Sequence, residues 1–170
     1  MYNDRQAISN RIRESNYRKN YMHLTPHFTL EELTRSSTAE RLQIDNTPPK
    51  ELLPNLQTLA EGLEKVRVSL GIFNAPMYID SGYRCPTLNK AVRGAVDSAH
   101  MTGFAADFIS PLTGTPLEMI QTLAKGTLAF DELIQEGSWV HISFAPAMRR
   151  KVLTAHFGLQ GTTYTIGVPT

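Results

Sequence analysis

A chain of 170 residues with 41% hydrophobic side chains has room for one well-buried core, and a single globular body is the economical reading. Seventeen Lys and Arg against sixteen Asp and Glu leave a net charge of +1, too weak a field to select nucleic acid or an anionic membrane as partner. The one cysteine, Cys85, excludes an internal disulfide, so stability must come from packing and from any bound metal.

Residues 1–26 read as a polar arm, rich in Arg and Asn through residue 21, with no apolar run of the kind a signal peptide or membrane helix needs. Thr29-Leu30-Glu31-Glu32 has the form of a capping box and Phe28 can staple to Leu33, which predicts a short helix starting there. After Pro48-Pro49, apolar residues at Leu52, Leu53, Leu56, Leu59, Leu63, Val66 and Leu70 recur at helical spacing. They predict the longest amphipathic helix over 50–70, ended by Gly71.

Met77-Tyr78-Ile79-Asp80-Ser81 alternates as a strand does, which puts Arg84 just past a strand end. Pro86 to Val92 suits a short helix with proline in its first turn, 104–109 a buried strand, and 116–125 a further helix. Glu132 to Gln135 and Val140 to Phe144 read as a hairpin closed at Glu136-Gly137-Ser138. A β-prone stretch over 152–157 lies in the C-terminal tail, 147–170. Helices first and short strands interrupted by helices afterwards argue for an α+β fold with an antiparallel sheet rather than a doubly wound parallel one.

The chemistry concentrates in Ser98-Ala99-His100-Met101-Thr102-Gly103-Phe104-Ala105-Ala106-Asp107 and in Trp139-Val140-His141. His100, Asp107 and His141 offer two imidazoles and a carboxylate, the ligand count of a catalytic zinc centre that keeps one position open. Asp107 lies in an apolar strand, where an unpartnered charge is costly and a metal supplies the partner. His23 and His27 are separated by Pro26, which breaks any helix that would pair them, and read as surface residues. His156 has no neighbouring carboxylate, and Cys85 reads as structural.

Ser98-x-His100, Gly103-x-Ala105-x-Asp107 and Trp139-x-His141, preceded by Ser81-Gly82-Tyr83-Arg84, resemble the zinc D-alanyl-D-alanine carboxypeptidase family of bacterial wall peptidases and phage endolysins. The resemblance covers about residues 27–146. It implies the α+β fold shared by these peptidases and hedgehog domains, a small antiparallel sheet flanked by helices, with Zn2+ held by His100, Asp107 and His141, and hydrolysis of peptidoglycan stem peptides or cross-links. It also implies that Arg84 is a catalytic and substrate-binding cation. Ser98 either braces its loop or hydrogen-bonds the substrate, and Trp139 is a further candidate substrate contact with packing as its alternative role.

Better-known members carry a catalytic Asp or Glu three residues before the last histidine, where this chain has Ser138. Glu136 is the nearest carboxylate and the nominated general base, with Asp131 and Glu132 in reserve and Asp131 also a candidate to orient a ligand histidine. The absence of an export signal fits a phage lysin made in the cytoplasm, which reaches the wall after holin release or as part of a virion. The arm would then be the place for virion or assembly partners, with no nucleic acid and no membrane insertion. Loss of the usual acid keeps a second reading open, a non-catalytic wall-binding or virion structural protein stapled by zinc. A signalling relative of the hedgehog type is disfavoured by the lack of an export signal and of disulfide cysteines.

Overall fold

The computed structural model describes residues 22–159 and 161–168. The polar arm expected over 1–26 lies almost wholly outside these residues.

Among the described residues, four helices and six strands are laid out in chain order. Helix α1 (Ser37–Leu42) leads to a 3-10 turn (Lys50–Leu52) and α2 (Leu53–Ser69), followed by β1 (Tyr78–Ser81), α3 (Pro86–Ala91) and β2 (Ala105–Ile109). Helix α4 (Pro116–Lys125), β3 (Glu132–Glu136), β4 (Trp139–Ser143), β5 (Lys151–Gly158) and β6 (Gly161–Ile166) complete the chain. Among the described residues no helix is long and apolar enough to cross a membrane.

The predicted helices over 50–70, 86–92 and 116–125 form because local signals and burial agree. Helix α2 turns Leu56, Leu59, Leu63 and Val66 inward, each with essentially no exposure, and each contributes about 1.5–3 kcal/mol of transfer free energy. Helix α4 begins with a full capping box between Thr115 and Glu118. The helix expected from Thr29 is only a turn: Leu33 N donates to Thr29 O at 3.2 Å and Arg35 N to Glu31 O at 2.8 Å. One arm of its capping box is made, Glu32 N to Thr29 Oγ1 at 3.2 Å. The helix itself starts later, where the Ser36 hydroxyl accepts from Ala39 N.

The strands form one sheet in the order β1-β2-β4-β3-β5-β6. This corrects the expectation of a small antiparallel sheet: there are six strands, and the pair β3–β5 is parallel. After β4 the chain passes the start of β3 and enters β5 on its far side. Arg150 N donates to Phe130 O at 3.0 Å and Lys151 N to Asp131 O at 2.9 Å. The Arg150 guanidinium donates to Leu128 O, Ala124 O and Gly126 O, which satisfies carbonyls around the C-terminal end of α4. The segment 147–170, expected to hold one strand and a tail, thus supplies a hairpin of two strands.

One sheet face carries Ala106, Phe108, Leu133, Val140 and Ile142 into the same apolar cluster as α2 and α4. Alternation sends the neighbouring residues Asp107 and His141 to the opposite face, where they sit side by side in the β2–β4 register.

Candidate metal centre

His100, Asp107 and His141 converge although they come from three places in the chain. Asp107 and His141 are cross-strand partners on β2 and β4. His100 arrives on the loop before β2, in a run of turns where Met101 N donates to Ser98 O at 3.0 Å and Phe104 N to Ala99 O at 3.0 Å. The Ser98 hydroxyl accepts from His100 N at 3.4 Å, so Ser98 braces the loop that delivers the imidazole.

The three side chains are buried, and one ligating atom from each lies within 4.8 Å of the other two. His100 Nε2 is 3.2 Å from Asp107 Oδ1 and 3.2 Å from His141 Nδ1, and His141 Nδ1 is 2.8 Å from Asp107 Oδ1. His100 Nδ1 lies 2.6 Å from the carbonyl oxygen of Gly82. A carbonyl only accepts, so Nδ1 carries the proton and Nε2 turns a lone pair toward the carboxylate and the second imidazole. Burial pulls the His100 pKa down, against the pull of Asp107, and keeps the ring neutral.

Three acceptor atoms therefore face one another, and a single proton on His141 Nδ1 cannot satisfy all the contacts. A divalent cation held by the three residues would satisfy them, and two imidazoles with one carboxylate are a zinc-type donor set. Asp107 is held well below the usual carboxylate range: burial opposes its charge, but its close contacts with His100 and His141 outweigh burial. For His141 burial also works against the charged form, and the Asp107 hydrogen bond and charge reverse it, so its pKa rises.

Arg84 stands over this cluster. Its Nη2 is 3.6 Å from Asp107 Oδ2, and its Nε is buried with no hydrogen-bond partner. Burial lowers its pKa against the opposing pull of Asp107 and Glu136, yet a guanidinium remains charged. The loop beneath it is clamped on both sides. Asn46 Nδ2 donates to Thr34 O at 2.8 Å and Tyr83 O at 3.0 Å, while Asn46 Oδ1 accepts from Cys85 N at 2.8 Å. Arg84 N itself donates to His100 O at 3.2 Å.

Glu136 and Trp139 close the β3–β4 hairpin as a cross-strand pair around the turn at Gly137, which has φ +67°. Trp139 Nε1 donates to Glu136 Oε2 at 2.6 Å, leaving the other carboxylate oxygen open. Burial raises the Glu136 pKa, with His141, Asp107 and Arg84 close enough to act on it electrostatically. The two reserve carboxylates are engaged elsewhere. Asp131 accepts a two-pronged bond from Arg149 at 2.7 and 2.6 Å, and Glu132 pairs with Lys151 at 3.0 Å. His27, read as a surface residue, is exposed and paired with Glu64 at 2.8 Å.

Sequence reading overlooked Gly82 and Asn46. Gly82 acts through its backbone carbonyl, which no side-chain pattern reveals, although it stands inside the Ser81-Gly82-Tyr83-Arg84 motif. Asn46 sits in Asp45-Asn46-Thr47-Pro48, a string that signals only a turn.

A buried His-Asp-His set on one face of an α+β sheet, with an arginine and a carboxylate beside it, defines a metal-dependent hydrolase site. Comparison with known families gives the same answer: the profile of the Peptidase M15 family matches residues 26–143, and the chain belongs to that family. Its members are zinc-dependent peptidases, and the His100, Asp107 and His141 cluster fits that requirement. No curated protein matches the chain directly.

Proposed function

We propose that this protein is a zinc peptidase that hydrolyses amide bonds in peptidoglycan stem peptides or cross-links, acting as a phage cell-wall lysin. The observation that carries the proposal is the convergence of His100 Nε2, Asp107 Oδ1 and His141 Nδ1 beside an arginine with an unpaired buried donor.

His100, Asp107 and His141 would hold the zinc, which when bound supplies Lewis acidity that polarises a carbonyl and lowers the pKa of water toward neutrality. Glu136 accepts the proton of the attacking water and returns it to the departing amine, the double duty of a general base that becomes a general acid. Its elevated pKa suits the second half of that task. Arg84 turns its guanidinium toward the negative charge that develops on the carbonyl oxygen, or toward a terminal carboxylate of the substrate. Asn46 holds the Arg84 loop in place, Ser98 steadies His100, and Trp139 both orients Glu136 and offers the substrate an aromatic face.

Purified peptidoglycan incubated with the zinc-loaded protein tests this reading. Release of new amine groups that stops with a chelator is the expected result, and mass analysis of the fragments distinguishes a carboxypeptidase from an endopeptidase. Zinc retained without amine release from several wall chemotypes would instead favour the zinc-stapled wall-binding or virion structural protein that Ser138 keeps in view.

A further inference from the structure

We infer that the C-terminal hairpin, β5 with β6, forms the second wall of the substrate cleft, where Tyr164 and Phe157 bind an uncharged peptide segment on the side of Glu136 away from Arg84. The inference rests on the reading of the chain as a peptidoglycan peptidase and adds to it a specificity-determining surface.

The sheet register places this wall. Glu136 pairs with Trp139, the parallel β3–β5 register runs through Gln135 and Thr154, and Ala155 pairs with Tyr164. The next step of the parallel register sets Glu136 beside Ala155, so Trp139, Glu136, Ala155 and Tyr164 form one row across four strands. The row lies on the face that carries Asp107 and His141. At strand spacings of about 4.8 Å, the backbones at Glu136 and Tyr164 are roughly 10 Å apart. Only the methyl group of Ala155 stands between them, so two long side chains can close on a common substrate.

Phe157 extends the wall toward the hairpin turn, its ring 5.9 Å from that of Trp139 at an angle of 41°. Beneath lies a small apolar floor of Ile134, Leu153 and Ala155, all buried and separate from the main core. Above it the aromatics stay open, Phe157 at 59% and Tyr164 at 50% exposure. Aromatic rings that are half exposed and continuous with a reactive centre present contact area at low entropic cost.

The chemistry of the row selects the ligand. Glu136 on one flank and an apolar floor below disfavour an anionic group, while methyl and methylene side chains with their backbone amides are accommodated. Burial and the carboxylates of Glu136, Glu132 and Asp107 push the Tyr164 phenol up, which keeps its hydroxyl protonated as a donor to a peptide carbonyl. The hairpin also lies beyond residues 26–143, the part of the chain the family profile describes. It is therefore a natural place for a preference peculiar to this protein.

Trp139 is the only tryptophan in the sequence, so its fluorescence reports on the junction of Glu136 with this wall, and the Tyr164 and Phe157 variants isolate the wall's share. The zinc-loaded full-length chain is titrated with L-Ala-γ-D-Glu-L-Lys-D-Ala-D-Ala, read at short times, and steady-state hydrolysis of the same peptide is measured in parallel. Tyr164→Ala and Phe157→Ala should each weaken the saturable fluorescence change and raise KM about tenfold, with kcat within about twofold. Tyr164→Phe, which keeps the ring, should lose only part of that, and unchanged circular dichroism and zinc content verify folding. Variants that bind and cleave like the parent overturn the wall and leave the peptidase reading standing. Loss of affinity only for fragments that carry sugar also overturns it, in favour of a glycan subsite. A parent protein that binds the peptide through this wall without cleaving it would retain the wall and reject the peptidase reading, and one that does neither rejects both.

Discussion

The Nδ1 of His100 lies 2.6 Å from the carbonyl oxygen of Gly82. This contact fixes the ring tautomer and aims Nε2 at Asp107 and His141. It depends on a close approach of two backbones, because a Cβ at position 82 would sit far inside van der Waals contact with the carbonyl of Leu33. Gly82→Ala should therefore displace the orienting carbonyl, costing about 1–3 kcal/mol of stability and about 10–100-fold in zinc affinity. Urea unfolding and competition against a chromophoric chelator check the two numbers separately.

Zinc should stabilise the fold through the same cluster. With free zinc a thousandfold above its Kd, linkage adds about 4 kcal/mol. Tm should therefore rise with zinc in the parent protein and stay flat in His141→Ala. A zinc-induced rise that survives the loss of His141 would place the metal elsewhere.

Asn46 is predicted to act on catalysis through Arg84. Asn46→Ala removes the donor to Tyr83 O and the acceptor for Cys85 N on either side of the arginine, and the donor to Thr34 O that anchors both. Misplacement of a charge-stabilising group lowers kcat about ten- to hundredfold. Zinc affinity should hardly change, because none of the three ligands contacts Asn46. A parallel loss of zinc would show a general loosening instead.

Asp131 and Arg149 give the fold a predicted response to acid. The hydrogen bonds from Arg149 hold the Asp131 carboxyl below its usual range. A carboxylate with a depressed folded pKa contributes stability that is full above its unfolded value, about 3.9. That contribution is lost as pH falls through the lower folded value. Arg149→Leu should therefore lower the urea midpoint at pH 6, with the gap to the parent protein narrowing below about pH 4. A gap independent of pH would mean that Arg149 acts through packing alone.

Much of this site was legible because the chemistry is local in sequence. His100, Gly103 and Asp107 fall within eight residues and Trp139 and His141 within three, and alternation in an apolar strand already argues that Asp107 needs a partner. The long helix was equally plain, since its leucines repeat at the helical period. The crossover after β4 was not. It depends on Arg149 and Arg150 folding back onto Asp131 and the end of α4, contacts between segments about twenty residues apart that carry no periodicity. The order of elements alone therefore predicts an antiparallel sheet, and nothing in the sequence sets Phe157 and Tyr164 near Glu136 and Trp139. The turn at Thr29 shows the converse: a good capping motif did not propagate a helix, because Leu33 is committed to Tyr83 through its carbonyl at 2.7 Å.

The central claim is that a zinc centre at His100, Asp107 and His141 drives hydrolysis with Glu136 as the proton carrier. The most direct test measures zinc content and amine release from peptidoglycan in the same preparations of the parent protein and Glu136→Gln. The account predicts equal zinc in both, with release from the variant lower by about 10²–10⁴-fold. Equal zinc with undiminished release from Glu136→Gln would contradict it.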